Sequence, residues 1–309
     1  MKVRVLGSAA GGGLPQWNCA CDNCSAARAG TGEVLPRSQS SIAVSVDGRR
    51  WLLVNASPDL RAQLEALPRA VGAGELRSSP LAAVLLTDAE LDHTAGLLLL
   101  REDQRLTLAC TEFVRDALIA NGLWNTLAAY LRVDWRRLVP GEAFVPRSAI
   151  GEGLGLSIES FVVAGGPPLH WRGNGAEAQG HTIGVRFTDT RGDASGKAGL
   201  VYVPGAARID ADLVERIGPA DTLLFDGTFW TAGELVDLGI SERTAPDMGH
   251  LPVSGRGGSL ERFRDVPAAR KVFVHVNNTN PMLREGSLER SEAAAAGWEV
   301  AFDGMALEL

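Results

Sequence analysis

The chain has 309 residues, of which 45% are hydrophobic and 22% charged, and its net charge is −7 at pH 7. This composition predicts a globular protein with a large core, and the negative charge argues against a general surface for nucleic acid or anionic membranes. No run approaches the roughly 20 apolar residues of a membrane-spanning helix. The first residues lack the pattern of a signal peptide, so the sequence predicts a cytoplasmic protein.

Three of the four cysteines follow a short strand, residues 2–6, and a glycine-rich turn. Cys19, Cys21 and Cys24 have the spacing C-x-C-x-x-C, which in a reducing compartment indicates a metal site rather than a disulfide. The alternative is three free, buried thiols, but packing gives little reason for so many thiols in one loop. The spacing therefore predicts a structural Zn²⁺ site with a fourth ligand from elsewhere in the chain. Cys110 stands alone and is predicted to be a core residue.

A β-hairpin is predicted next, with strands at residues 40–46 and 51–54 around an Asp-Gly turn. Ser57 and Pro58 predict the start of a helix that extends to residue 67. Residues 81–86 form an apolar run that predicts a buried strand.

An acidic stretch, Thr-Asp-Ala-Glu-Leu-Asp-His at residues 87–93, follows that strand. Asp88, Glu90, Asp92 and His93 all offer oxygen or nitrogen ligands for a divalent metal. The alternative from these residues alone is a solvated acidic loop.

The remaining elements alternate between strands and helices. Strands are predicted at residues 106–110, 156–163, 181–188, 199–203, 221–225, 271–276 and 298–302, and helices at 112–121, 213–217, 234–238, 260–263 and 289–296. Residues 127–138 are amphipathic, 165–180 are predicted to be a loop and 189–197 a turn. Strands in pairs separated by helices predict an α/β (α+β) protein, a four-layer αββα sandwich with one domain over residues 1–309.

Further polar residues follow predicted strands or lie in the loops between them. His275 and Asp226 end two strands, His250 follows Gly249 in a loop, and His181 follows Gly180 at a strand start. Each has an ordinary interpretation as a loop or strand-edge residue. His93 and His275 both follow strands, which favours a shared site over coincidence.

The acidic stretch resembles the metallo-β-lactamase superfamily, in which the corresponding loop reads Thr-His-x-His-x-Asp-His. The early cysteines after a glycine-rich loop resemble the phosphodiesterase branch of that superfamily. Motifs through nearly the whole chain are similar to the family of pyrroloquinoline quinone (PQQ) biosynthesis proteins of the B type. They lie at residues 37–41, 53–60, 180–184, 249–255 and 275–281.

The resemblance implies a metallo-β-lactamase-like fold and a metal held by Asp92, His93 and His275. Asp88 and Glu90 replace the two histidines of the superfamily's first metal, and residues 204–206, Pro-Gly-Ala, lack its bridging carboxylate. What remains is a 2-His-1-carboxylate set, which is typical of mononuclear Fe²⁺ oxygenases. Asp88 and Glu90 are then expected to lie beside the metal ligands without binding the metal themselves. Mn²⁺, Mg²⁺ and Zn²⁺ are the alternative ions.

The resemblance also assigns roles to four further residues. His250 is similar to a superfamily histidine that acts as an acid or orients a neighbour, and Asp226 and His181 are candidates for catalysis or substrate binding. Asn278 stands where the phosphodiesterase branch has the histidine that completes the three-cysteine zinc site. Asp22, a water or a backbone carbonyl are the other candidates for that fourth ligand.

Three functions follow from this resemblance. The first is Fe²⁺- and O₂-dependent hydroxylation of a tyrosine-derived, cross-linked Glu–Tyr precursor of PQQ. The second is a non-enzymatic carrier of PQQ or its precursor towards the periplasm, and the third is a metal-dependent hydrolase. The expected partner is a small-molecule precursor, and a homodimer and contacts with other proteins of the PQQ pathway stay open.

Overall fold

The computed structural model describes residues 1–68, 76–103, 105–171, 180–191, 199–219 and 221–309. Parts of the predicted loop 165–180 and of the predicted turn 189–197 lie outside these described residues. Among the helices of the described ranges, none combines the length and the apolar character needed to cross a bilayer.

The strands of the described residues run through the whole chain. They are β1 (Lys2–Gly7), β2 (Ser41–Ser45), β3 (Trp51–Val54), β4 (Leu81–Leu85), β5 (Arg105–Cys110), β6 (Arg132–Arg137), β7 (Ala143–Phe144), β8 (Leu156–Val162), β9 (Ile183–Asp189), β10 (Leu200–Val203), β11 (Thr222–Asp226), β12 (Arg270–Val274), β13 (Trp298–Val300) and β14 (Ala306–Glu308). Strands β7 and β14 were not predicted, because they are short and have no distinctive pattern.

The helices of the described residues are mostly short. The α-helices are α1 (Asp22–Ala29), α2 (Leu60–Leu64), α3 (Leu91–Thr94), α4 (Glu112–Ala120), α5 (Leu123–Ala128), α6 (Ala211–Glu215), α7 (Glu234–Asp237), α8 (Ser259–Arg262) and α9 (Leu288–Ala295). Short 3₁₀-helices occupy Ala95–Leu100, Leu169–Trp171, Pro246–Met248 and Pro281–Leu283.

These strands form two mixed sheets of seven strands each. Their orders are β14-β1-β2-β3-β4-β5-β6 and β13-β12-β11-β10-β9-β8-β7. Strands β3 to β6 are mutually parallel, and so are β10 to β13. The carboxyl ends of parallel neighbours lie at one edge of a sheet, where loops can assemble a site.

The side chains of each strand alternate between the two faces of its sheet, so the hydrophobic core has three parts: one between the sheets and one on the outer face of each sheet. Leu52 of β3 and Leu224 of β11 belong to the cluster between the sheets, whereas Leu53 and Phe225, the next residues, face outward. Helices α2, α4 and α5 cover the outer face of the first sheet, and α6, α8 and α9 cover that of the second. The predicted αββα sandwich is therefore confirmed.

The amphipathic stretch 127–138 divides between two elements. Helix α5 ends at Ala128, and Arg132–Arg137 forms β6, which pairs in parallel with β5. The Arg115 guanidinium lies 4.1 Å from the centre of the Trp135 ring, and Trp135 Nε1 donates to the Cys110 carbonyl oxygen. Pairing with β5 and cover from α4 thus determine the structure of this segment.

Two local predictions differ from the structure at helix starts. Cys24 lies inside α1 and not in a loop, because the helix begins directly after Cys21. The second helix begins later than predicted, with Asp59 rather than Ser57 at its N-cap. Ser57 Oγ still accepts a hydrogen bond from Asp59 N, at 3.2 Å, so it stabilises the turn that precedes the helix.

Candidate active site and metal centres

Loops that follow four strands line one cavity of about 270 Å³. The segment after β4, which includes the short helix α3, contributes Asp92 and His93, and the loop after β12 contributes His275. Thr228 follows β11, and Gly205 follows β10. The fold thus brings together residues that are up to 183 positions apart in the chain.

Asp92, His93 and His275 form a group whose nearest ligand atoms all lie within 4.8 Å of one another. His275 Nε2 is 3.2 Å from Asp92 Oδ2. His93 Nε2 is buried and has no hydrogen-bond partner among the described residues. Because an unpartnered buried nitrogen is costly, its position beside a carboxylate and a second imidazole fits a metal ligand.

His93 is held by Asp88 from behind. Its Nδ1 lies 2.7 Å from Asp88 Oδ2, so the ring donates from Nδ1, and Nε2 is the nitrogen that can bind a metal once it has lost its proton. Asp88 in turn accepts hydrogen bonds from the Thr87 hydroxyl at 2.8 Å and from Glu90 N at 3.0 Å. Burial lowers the pKa of His93, but the Asp88 and Asp92 carboxylates outweigh it and raise that pKa to about 9. A metal must therefore displace a proton when it binds here.

Thr228 positions His275 in a similar way. Its hydroxyl donates to Asp226 Oδ1 at 2.6 Å, and its oxygen lies 2.8 Å from His275 Nδ1. The oxygen can accept the Nδ1–H proton, which leaves His275 Nε2 as the nitrogen that faces Asp92. The backbone of His275 has a φ of 55°, a left-handed conformation that costs a non-glycine residue about 1 kcal/mol or more. The surrounding contacts maintain this conformation, since Val276 N donates to Ser8 O at 3.0 Å.

His250 and Asp226 form a hydrogen-bonded pair at the same cavity. His250 Nδ1 is 2.7 Å from Asp226 Oδ2, so the second nitrogen of His250 is available to a ligand. The ring is stacked on His275 with 5.3 Å between the ring centres. Burial lowers the pKa of His250, but Asp226 outweighs it, and the pKa lies above its ordinary value. The pair is therefore arranged to hold or transfer a proton.

Asp226, His250 and His275 form a second group, in which one ligand atom of each residue lies within 4.8 Å of those of the other two. The two oxygens of Asp226, however, already accept hydrogen bonds from His250 Nδ1, the Thr228 hydroxyl, Thr228 N and Ala206 N. Asp226 is fully buried, whereas Asp92 is partly exposed and lines the cavity. Asp92, His93 and His275 therefore form the better ligand set.

The remaining residues of the acidic stretch take different positions. Asp88 binds His93 and belongs to neither group of candidate ligands, as expected for a residue that orients a ligand. Glu90 is exposed and lines the cavity. The role predicted for both, outside the metal's direct ligands, is consistent with this geometry.

The structure places His181 away from these groups. Its ring packs against Phe113, with 5.0 Å between the ring centres, and burial lowers its pKa. Its Nε2 has no hydrogen-bond partner in the described part of the chain. Thr182, the next residue, lines the cavity, and His181 does not. The catalytic role predicted for His181 thus gains no support from its contacts.

The three N-terminal cysteines form a second candidate metal centre. The sulfur atoms of Cys19, Cys21 and Cys24 lie within 4.8 Å of one another. Asn278 Nδ2 lies 3.2, 3.6 and 3.3 Å from the sulfurs of Cys19, Cys21 and Cys24. The amide is therefore close enough to provide the fourth ligand of a tetrahedral site. A rotation of the amide by half a turn exchanges its nitrogen and oxygen and would present the oxygen to a metal.

The backbone around Asn278 connects this centre to the active site. Asn23 Nδ2 donates to the carbonyl oxygens of Asn278 at 3.1 Å and Asn280 at 2.9 Å. His275 lies three residues before Asn278 on the same loop. The cysteine-bearing segment therefore supports the loop that carries His275, a candidate metal ligand.

The buried carboxyl group of Glu234 forms a hydrogen bond with the loop that carries His275 and Asn278. It accepts hydrogen bonds from Trp230 N at 2.6 Å and from the Thr279 hydroxyl at 2.5 Å. Burial raises its pKa from 4.5 to about 7. The folded protein therefore keeps this proton over a range of pH in which an unfolded chain has lost it. The resulting stabilisation is complete below about pH 4.5 and is lost as the pH rises through 7.

Replacing Glu234 with glutamine is expected to flatten the pH dependence of stability. Between pH 5 and pH 8 the native protein is expected to lose about 2–3 kcal/mol of unfolding free energy through this carboxyl. The variant should not show this loss, because glutamine does not titrate. Urea unfolding at pH 5 and pH 8 measures the difference in the free energy of unfolding. The matched control is Glu215→Gln, which changes an exposed carboxyl. An unchanged pH dependence in Glu234→Gln would contradict this assignment.

Sequence reasoning missed Thr228 and Asn55. Thr228 follows Asp226 by two residues, and a hydroxyl so near a strand-end aspartate is a weak signal of a side-chain hydrogen bond. Asn55 has a φ of 63°, and its Oδ1 accepts from Thr87 N at 2.9 Å. This contact fixes the start of the acidic stretch, and nothing in the local sequence distinguishes it.

The chain is similar to known proteins over its full length. Residues 50–276 match the family described as "Beta-lactamase superfamily domain". "Coenzyme PQQ synthesis protein B" of Methylobacterium nodulans is 47% identical over 312 residues, and the proteins of that name from Methylobacterium sp. (strain 4-46) and Ruegeria pomeroyi are 45% and 43% identical. In each case the alignment covers 100% of both chains. The chain belongs to the PQQ synthesis protein B family.

Solved structures agree with this membership. Zn²⁺-bound PqqB from Methylobacterium extorquens, a member of the family, superposes with a TM-score of 0.90 at 45% identity and full coverage of both chains. A diphosphatase from the PhnP family superposes with a TM-score of 0.68 at 20% identity, covering 100% of this chain and 96% of the other. The second likeness shows the fold alone. The predicted family is thus confirmed.

Proposed function

We propose that the chain acts in PQQ biosynthesis as an Fe²⁺- and O₂-dependent hydroxylase of a tyrosine-derived Glu–Tyr precursor. The observation that supports this is the group formed by Asp92, His93 and His275. In both histidines Nδ1 is engaged by an oxygen, so both Nε2 atoms are available beside one carboxylate. Two imidazoles and one carboxylate are the ligand set of mononuclear non-haem iron oxygenases.

The donors present fit such an ion. The buried, unpartnered Nε2 of His93 is the atom that most requires a partner. Asp92, His93 and His275 would hold Fe²⁺, which when bound supplies the activation of O₂ that protein side chains lack. Asp88 and Thr228 orient the two imidazoles, and a loss of either would disturb the ligand directions.

His250 is proposed as the residue that manages protons. Asp226 holds its Nδ1, and its other nitrogen is available at the cavity that contains the ligand group. Hydroxylation of a phenol ring releases a ring hydrogen as a proton. An imidazole within hydrogen-bond reach of the substrate can accept such a proton or return one.

Two features argue against a dinuclear hydrolase. Asp88 occupies one of the superfamily's histidine positions, but its oxygens contact His93, Thr87 and Glu90 N. The turn at residues 204–206 has no carboxylate to bridge two ions. The carrier hypothesis makes a different prediction from the hydroxylase. It requires tight binding of the quinone that does not depend on His93 and His275.

The test is reconstitution with Fe²⁺ under anaerobic conditions, followed by addition of O₂, the cross-linked Glu–Tyr precursor and a two-electron reductant. The reductant is needed because hydroxylation inserts one atom of O₂ into the substrate and the other is reduced to water. A product heavier by one oxygen atom, whose oxygen derives from ¹⁸O₂, is expected by mass spectrometry. No oxygen-dependent product from protein with bound iron would refute the hydroxylase. Binding of PQQ that is unchanged in the double variant His93→Ala, His275→Ala would then favour the carrier.

Replacing His250 with glutamine is expected to slow the reaction about 10²- to 10⁴-fold while bound iron is retained. The residue is not part of the preferred ligand set, and glutamine removes only the titrating ring. Single-turnover rates, with iron content measured on the same samples, give the comparison. Asp226→Asn is the companion variant and should lower the rate less, because the imidazole remains. A wild-type rate in His250→Gln would exclude the proton-transfer role.

A further inference from the structure

One cationic side chain lines a cavity that is otherwise rich in carboxylates and imidazoles. Asp88, Glu90 and Asp92 line the cavity together with three histidines. Arg243 is the single arginine or lysine among the lining residues of the described chain. No role has been assigned to it so far.

The position of Arg243 is fixed by its own loop. Its guanidinium donates to the carbonyl oxygen of Asp247, and its backbone N donates to Ser241 Oγ at 3.0 Å. The same loop leads to the site histidine, because His250 N donates to Ala245 O at 3.0 Å. Arg243 and His250 are therefore held in one short structural unit.

Hydrogen bonds from Thr244 and the charge of Arg243 lower the pKa of the Asp247 carboxyl, but that carboxylate makes no direct ion pair with the guanidinium in the described part of the chain. Asp247 Oδ2 accepts instead from Thr244 N at 2.9 Å and from the Thr244 hydroxyl at 2.6 Å. No ion pair of Arg243 with a carboxylate occurs within the described ranges of the chain. A half-buried guanidinium with unused donors at a cavity favours an anionic ligand group, and its planar fork matches a carboxylate.

We infer that Arg243 binds a carboxylate of the ligand that occupies this cavity and so determines which end of the ligand faces the metal ligands. The carboxylates of Glu90 and Asp92 repel an anionic group, whereas Arg243 attracts it. The ligand therefore enters with its carboxylate at Arg243 and its reacting ring towards Asp92 and His275. This inference rests on the proposed function for the identity of the ligand, an amino-acid-derived acid, but its test does not require turnover.

The test compares the binding of PQQ, a tricarboxylic acid, with that of its trimethyl ester by isothermal titration calorimetry. The wild-type protein is expected to prefer the acid. In Arg243→Gln the affinity for the acid should fall about 10- to 100-fold, the magnitude of a charged hydrogen bond, while the affinity for the ester stays constant. Arg243→Lys should retain part of the preference, because lysine keeps the charge and loses the fork.

The matched control is Arg256→Gln, which changes an exposed arginine at a different surface cleft and should leave both affinities unchanged. Thermal unfolding of each variant verifies the fold. Equal affinity of wild type and Arg243→Gln for the acid, or an equal loss for acid and ester, would overturn the inference, as would a wild-type protein that binds neither.

The outcome is separable from that of the hydroxylase proposal. If iron-loaded protein yields no oxygenated product while the preference for the acid depends on Arg243, the hydroxylase is refuted and the carboxylate site stands. If turnover occurs, Arg243→Gln should raise KM and leave kcat nearly unchanged, because Arg243 acts in binding.

Discussion

Asp92→Ala is expected to lose the active-site metal and, with it, hydroxylation. Asp92 is the only carboxylate in the group with His93 and His275, and its Oδ2 lies 3.2 Å from His275 Nε2. Changes to residues that merely orient a ligand typically cost about 10- to 100-fold in metal affinity, so removal of a ligand itself should cost at least as much. Anaerobic Fe²⁺ titration and metal analysis of the purified variant measure the loss.

Glu90→Gln is the matched control for this experiment. It also removes a carboxylate from the cavity, at a position where the superfamily has a metal-binding histidine, but Glu90 belongs to neither candidate group. The iron content of Glu90→Gln should equal that of the wild type. If Glu90→Gln loses iron and Asp92→Ala keeps it, the ligand assignment is wrong and a site nearer to the superfamily's first metal is favoured.

Cys24→Ala is expected to lose zinc and to destabilise the fold by several kcal/mol. Cys24 is buried on α1, and its sulfur lies 3.3 Å from Asn278 Nδ2 and accepts a hydrogen bond from Gln16 N at 3.3 Å. Binding of a structural Zn²⁺ contributes on the order of 10 kcal/mol to the folding of small zinc peptides. Zinc content and the midpoint of thermal unfolding, with and without added Zn²⁺, measure the effect.

Cys110→Ala provides the comparison with an identical chemical change. Cys110 is equally buried, in β5, and burial raises the pKa of its thiol to about 12, as expected for a core residue without a metal. This variant should keep its zinc and lose only the packing of one sulfur. Equal zinc content in Cys24→Ala and Cys110→Ala would contradict the zinc site.

The connection between the two centres predicts a further difference between these variants. The loop that carries His275 is tied to the cysteine segment through Asn23, Asn278 and Asn280. Cys24→Ala should therefore weaken iron binding at the distant site as well, whereas Cys110→Ala should not. Iron titration of both variants tests this coupling.

The sequence by itself determined the features that depend on neighbouring residues. The spacing of Cys19, Cys21 and Cys24 limits where three sulfurs can lie, and the structure brings them together. Alternation specified β2, because successive side chains of a strand point to opposite faces, and a short continuous apolar run specified β3. Motifs distributed along the chain also indicated the family correctly.

Only the tertiary structure decided which contacts each residue of the acidic stretch makes. From the residues alone, Asp88, Glu90, Asp92 and His93 were equivalent candidate ligands, and the resemblance to the superfamily assigned the metal to Asp92 and His93. In the fold, Asp88 lies behind His93, Glu90 faces solvent, and Asp92 meets His275. His275 directly follows β12 of the opposite sheet, and the direction of its side chain depends on Thr228 and on a left-handed backbone.

The physical reason is the range of the interactions involved. Side-chain periodicity and thiol spacing act within a few residues, so the sequence displays them directly. The tautomer of His275, the burial of Asp226 and the unpaired charge of Arg243 each depend on groups that the packing of two sheets brings into contact. Such contacts become visible only when the strands are assembled in their order.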